Sequence, residues 1–150
     1  MPGFRFKLER VRAVRERAEQ LAKQDLAEAI TRRSDTEADL HAAETLLEQA
    51  HEQQRTGVTV TQSLDPSELV ARQAYVERIE AQRANHVHDL EHRETEVAAR
   101  DAQLTKASGE REMLERLRER RHSEHEREAA RREQGALDEV AATNFERSRA

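Results

Sequence analysis

Apolar side chains in this chain recur at steps of three and four along two long stretches, a spacing that predicts α-helix. In the first stretch Val11, Val14, Ala18 and Leu21 or Ala22 follow the step. Leu26, Ile30, Leu40 and Leu47 continue it on a register displaced by about one residue. The interval from Val11 to Leu26 then corresponds to ~3.75 residues per turn, which predicts a relaxed or locally right-handed supercoil there. In the second stretch Val76, Leu90, Val97 and Leu104 lie on one heptad line, and Ile79, His86, Ala107 and Leu114 lie on its companion. Arg83, Arg93, Arg100 and Arg111 fall on the same two lines, so the apolar seam is interrupted. Tyr75 is placed at or beside that seam.

Punctuation between the stretches sets their limits. Thr56-Gly57-Val58-Thr59-Val60-Thr61 is rich in β-branched residues, which lose side-chain freedom in a helix, and Gly57 suits a left-handed position just past a helix end. The first helix is therefore predicted to stop near Arg55. Asp65-Pro66-Ser67-Glu68 reads as a start: an aspartate cap, proline at the first helical position, and a glutamate able to bond back to the cap. The expected fold is all-α, a long antiparallel two-helix coiled-coil hairpin over residues 1–150. Helix 1 covers about 4–56, the loop about 57–65, and helix 2 about 66–147. Folding about Thr61 sets Phe4 opposite Arg118 and leaves roughly the last thirty residues of helix 2 extending beyond helix 1. Leu137, Val140 and Phe145 in that overhang are predicted to be under-buried, either binding something or fraying.

Composition agrees with a helical rod rather than a filled interior. Charged residues make up 38% of the chain and aromatics 3%, the profile of long helices and coiled coils. The absence of cysteine excludes disulfides and cysteine-ligated zinc and fits a reducing, cytoplasmic compartment. No apolar run approaches the ~20 residues of a membrane span. The formal charge of −5 argues against a general nucleic-acid binder. That charge is uneven. Arg5, Lys7, Arg10, Arg12, Arg15 and Arg17 crowd the first segment, whereas Ser34 to Gln54 carries six acids and no lysine or arginine. Cations at a helix N-terminus oppose the macrodipole, so these should answer either to an acidic partner or to Glu112, Glu115 and Glu119 across the open end of the hairpin.

Candidate chemistry is thin. His88 and His92 stand four apart on one face, and His122 and His125 three apart, but neither pair has a compelled third ligand. Ser108 and Ser123 have acids or histidines in sequence reach, yet a hairpin offers no pocket to exclude water around a nucleophile. Gly109 and Gly135 are isolated and make no phosphate loop. The reading is a non-enzymatic protein with no catalytic residues, metal or cofactor.

Three segments carry a family resemblance: Phe4-Arg-Phe6-Lys-Leu8-Glu-Arg-Val11-Arg-Ala-Val14-Arg15 at the start, Leu114-Glu-Arg-Leu117-Arg-Glu-Arg late in the chain, and Glu133-Gln134-Gly-Ala-Leu137-Asp138-Glu139 near its end. In this order, around a break before the midpoint, they resemble the FliJ family of flagellar type III export proteins over nearly the whole chain. The resemblance implies a non-enzymatic stalk similar to the rotary ATPase gamma subunit, seated in a hexameric export ATPase. It also implies contacts with the cytoplasmic domain of the export gate and with export chaperones. The implied location is the cytoplasm, with peripheral association at the inner-membrane export apparatus only through partners. The family's partner-contact positions correspond to Leu47, Tyr75, Ile79 and His86. Gln82 departs from the apolar strip, and Ala50 and Gln54 stand where aromatics would be expected. Three other readings remain open: a stalk of a virulence-type secretion system, a binder of nucleic acid or of an acidic surface through Arg5 to Arg17, and a generic coiled-coil scaffold that dimerises, so that a homo-oligomer is a further possibility.

Overall fold

The computed structural model describes residues 3–60 and 65–149, the side chains of 58–60 excepted. The described chain folds as two helices, α1 (Glu9–Val60, 52 residues) and α2 (Pro66–Arg149, 84 residues). It divides into two compact units, one of residues 1–20 with 105–150 and one of residues 21–104. In both units α1 runs antiparallel to α2, and among the described residues there is no strand.

The unit of residues 21–104 holds the best-formed core. Ala50, Val76 and Ile79 are buried at 5%, 4% and 2% exposure, with Leu47 packed on them. Ala29 and Ala43 are also buried. On α1 the covered positions are Ala22, Ala29, Thr36, Ala43 and Ala50 on one line, with Leu26, Arg33, Leu40, Leu47 and Gln54 on the other, an unbroken heptad. The alanines let the helices approach closely, and the leucines of the second line fill the space between them. On α2 Val76, Ile79, His86, Leu90, Arg93, Val97, Arg100 and Leu104 are covered, the two lines expected from the sequence.

Polar seam positions are matched across the pair. Arg32 donates to Glu96 at 2.7 Å, Arg83 lies 3.3 Å from Glu44, and Arg100 lies 3.6 Å from Asp25. Such pairs are individually weak where exposed, but a slip of one heptad would separate all three, so they favour one register. Arg33 is the seam's flaw, for its Nε is buried without a hydrogen-bond partner.

In the other unit the seam is more polar. Glu19, 5% exposed, accepts a bond from the Ser108 hydroxyl at 2.9 Å and pairs closely with Arg111. Arg12 reaches Glu115 at 3.5 Å, and Arg15 pairs with Glu110.

Several sequence expectations need correction. The register displacement in the first segment is not found, because α1 keeps its heptad through Arg12, Glu19 and Leu26. Val11, Val14, Leu21 and Ile30, which suggested the displacement, are 42–62% exposed. Apolar identity misled there because the positions facing α2 are charged residues with partners. Helix 1 begins at Glu9 rather than near Phe4, with the Glu9 amide donating to the Phe6 carbonyl at 3.2 Å. The first turn therefore opens on an acid, favourable to the helix dipole, and Arg5 and Lys7 precede the helix.

Helix 1 also continues past Arg55 to Val60, and no described glycine has a positive φ. The Thr56 hydroxyl bonds back to the Glu52 carbonyl at 3.0 Å, while Gly57 stays half-buried beside Arg72. Packing against α2 overrides the weak local propensity. The expected loop centre at Thr61 lies outside the described residues. The longer helix nevertheless shifts the pairing by about a turn: Phe4 meets His122 and His125 rather than Arg118. At the start of α2 the cap forms as expected, with Asp65 accepting from the Ser67 amide at 3.2 Å. The Glu68 carboxylate, however, pairs forward with Arg72 at 2.7 Å instead of returning to the cap.

Candidate partner-binding surface

The four positions singled out by the resemblance lie in the unit of residues 21–104, but not on one accessible patch. Ile79 is at the centre of the core and 2% exposed, and half-buried Leu47 packs against that core from α1. Both hold the two helices together. His86 is half-buried on the same seam line two turns further along α2. Tyr75 presents the most surface of the four. It is 40% exposed, with the Arg78 guanidinium 5.4 Å from its ring centroid, within cation–π range.

Further exposed apolar surface lies N-terminal to Tyr75 on α2. A shallow groove of about 610 Å³ lies along α2, lined by Leu69, Val70, Arg72 and Ala74 with Gln54 of α1. Leu69 is 45% exposed and Val70 70%. Leu46, next to the packed Leu47, is 44% exposed. Val70 and Leu46 lie on neither heptad line, whereas Leu69 lies one heptad before Val76 on its line, a position that the lines drawn from Val76 onward did not include. The open groove, with Gln54, Arg72, Gln73 and Glu77 among its lining, suits recognition of a macromolecular surface rather than enclosure of a small molecule.

In the unit of residues 1–20 and 105–150, the N-terminal cations divide into two groups. Arg12 and Arg15 pair with α2 as described, Glu115 being the one of three expected acids that takes part and Glu110 being unanticipated. Glu112 pairs instead with Arg116 on its own helix. Glu9 accepts from Arg12 at 2.6 Å, a charge-assisted bond that lowers the Glu9 pKa and raises that of Arg12. Arg5, Lys7, Arg10 and Arg17 make no ion pair among the described residues and remain exposed. The Phe4 ring meets His122 edge-on at 5.0 Å and His125 at 5.8 Å, forming one wall of a groove of about 510 Å³ that Phe6, Leu8 and Leu117 also line.

His88 and His92 are both exposed, and His122 Nδ1 lies 3.6 Å from Glu126. Among the described residues no three His, Asp or Glu side chains converge as a metal site would require. No described helix is long and apolar enough to cross a membrane.

In comparison with known families, residues 4–150 fit the family model described as Flagellar FliJ protein. No curated protein and no solved structure matches the chain.

Proposed function

Since the chain belongs to the FliJ family of flagellar export components, we infer that it serves protein export as a non-enzymatic coiled-coil stalk. In this reading it seats in the ring of a hexameric export ATPase and links that ring to the export gate and to export chaperones, its membrane association being peripheral and through those partners. The observation that supports the reading most directly is the inequality of the helices. α2 is 84 residues long and α1 52, and α2 from Ala130 to Arg149 is exposed with large apolar side chains still on it. A paired coiled coil ending in a single helix suits an asymmetric axle. Nucleotide chemistry stays with the ring.

The surface around Tyr75 suits a second contact, with the cytoplasmic domain of the gate or with a chaperone, and Tyr75 is the residue best placed to anchor it. Leu47, Ile79 and His86 support that contact by holding the helix pair in register. The deciding experiment incubates the purified chain with its cognate hexameric ATPase and reads both association and the rate of ATP hydrolysis. Association with a raised rate is expected. Neither association nor stimulation would overturn the stalk reading.

A further inference from the structure

The part of α2 from Ala130 to Arg149 has the pattern of a helix that packs, but no α1 residue covers it among the described residues. Leu137 is 60% exposed, Val140 56% and Phe145 60%. At ~100° per residue these three side chains and Ala141 fall within one stripe, and Ala130 and Ser148 lie on its midline. Internal support is slight: Gln134 bonds to Asp138 at 3.1 Å, and Arg149 lies over the Phe145 ring at 5.3 Å. An isolated helix of this length is marginal in water, and burial of an amphipathic face is what usually stabilises one.

Charge placement specifies what covers the stripe. Glu133 and Arg147 border the same edge of it, one near each end. When a second copy is laid antiparallel so that Val140 meets its Ala141, the same register brings Leu137 to within one residue of facing its Phe145 and Glu133 to within one residue of facing its Arg147. By two-fold symmetry each of these contacts occurs twice. A shift of one heptad toward the N-terminus brings Arg147 against Arg127 of the other copy. A parallel arrangement sets Glu133 toward Asp138 across the seam, a like-charge contact. Antiparallel pairing is the arrangement that satisfies the apolar stripe and its charged edge at once.

We propose that the chain forms an antiparallel homodimer through α2 residues 130–149, with the two-fold axis between Val140 and Ala141. The inference does not rest on the export reading, and it makes no use of an ATPase. The interface is small, so the dimer is reversible and dissociates on dilution.

The natural absence of cysteine makes the test direct. Single Ala141→Cys and Ala130→Cys variants of the full chain are oxidised under mild conditions, and the wild type and Val140→Glu are followed by sedimentation equilibrium. A disulfide needs Cα atoms within ~7 Å. Ala141→Cys is therefore expected to give a covalent dimer, and Ala130→Cys, far from its own copy in this register, is not. Val140→Glu is expected to raise the dimer dissociation constant at least ~10-fold, with helix content by circular dichroism unchanged. Equal crosslinking at the two positions would overturn the antiparallel register. A wild-type chain that remains monomeric up to roughly 100 µM would overturn the dimer and leave the stripe to a different protein.

Discussion

Arg32 of α1 donates to Glu96 of α2 at 2.7 Å, and Arg93 approaches the same carboxylate from its own helix at 3.1 Å. Two guanidiniums on one acid hold Glu96 in its charged form, and its pKa is lowered, chiefly by the bond from Arg32 and then by that from Arg93. In the unfolded chain it titrates near the ordinary glutamate value of ~4.3. A depressed folded pKa contributes stability that is complete above the unfolded value and is lost as pH falls through the folded one. The wild type should therefore lose Tm as pH drops below ~4.3, and Glu96→Gln should lose less over the same interval. Thermal melts of both proteins from neutral pH to about pH 3 check this. Parallel curves would show that Glu96 does not contribute.

Ile79 and Tyr75 stand one turn apart on α2 and should respond differently to truncation. Ile79→Ala empties the centre of the core and should cost roughly 2–4 kcal/mol. Tyr75→Ala removes a side chain that is 40% exposed and should change stability by less than ~1 kcal/mol. Urea denaturation separates them. The contrast also matters for binding studies, since loss of a partner through Ile79→Ala would report on the fold, whereas loss through Tyr75→Ala would report on the surface.

Glu19 and Arg111 occupy facing seam positions where a coiled coil ordinarily holds apolar residues. Glu19→Ala leaves Arg111 and the Ser108 hydroxyl without their acceptor and should destabilise by ~1–3 kcal/mol. Replacing both, Glu19→Leu with Arg111→Leu, should be neutral or stabilising by up to ~4 kcal/mol, because a buried ion pair rarely outweighs well-packed hydrocarbon. The two variants and their wild type, compared by chemical denaturation, test whether the pair serves stability or register. A double variant less stable than Glu19→Ala would contradict this account.

Gly109 is helical, and a Cβ built on it meets nothing within 4 Å. Gly109→Ala should then stabilise α2 by about 0.5–1 kcal/mol through the restricted unfolded chain and better helix propensity. At Gly57 an added Cβ would press on the Arg72 guanidinium, so part of the same gain is spent displacing that side chain. Melting temperatures should rank Gly109→Ala above Gly57→Ala, with both at or above wild type.

The sequence by itself determined the helical class, the antiparallel pairing of two unequal segments, and the seam of α2. Pro66 with its Asp65 cap is a local signal, and the heptad lines through Val76, Ile79, Leu90, Val97 and Leu104 rest on apolar residues whose spacing alone specifies a face. The overhang was legible in the same way, since Leu137, Val140 and Phe145 lie beyond any partner that α1 can reach.

Tertiary structure alone decided the register at the start of α1, its two ends, and the accessibility of the candidate surface. Charged residues such as Arg12 and Glu19 occupy covered positions because partners on α2 face them, and no periodicity of hydrophobicity registers that. Gly57 stays helical because α2 packs beside it, and the chain before Glu9 is non-helical where Phe4 lies against His122 and His125. Ile79 is internal while Tyr75 is exposed for the same reason: a helix shows every residue to its surroundings, and only the second helix determines which of them remain outside.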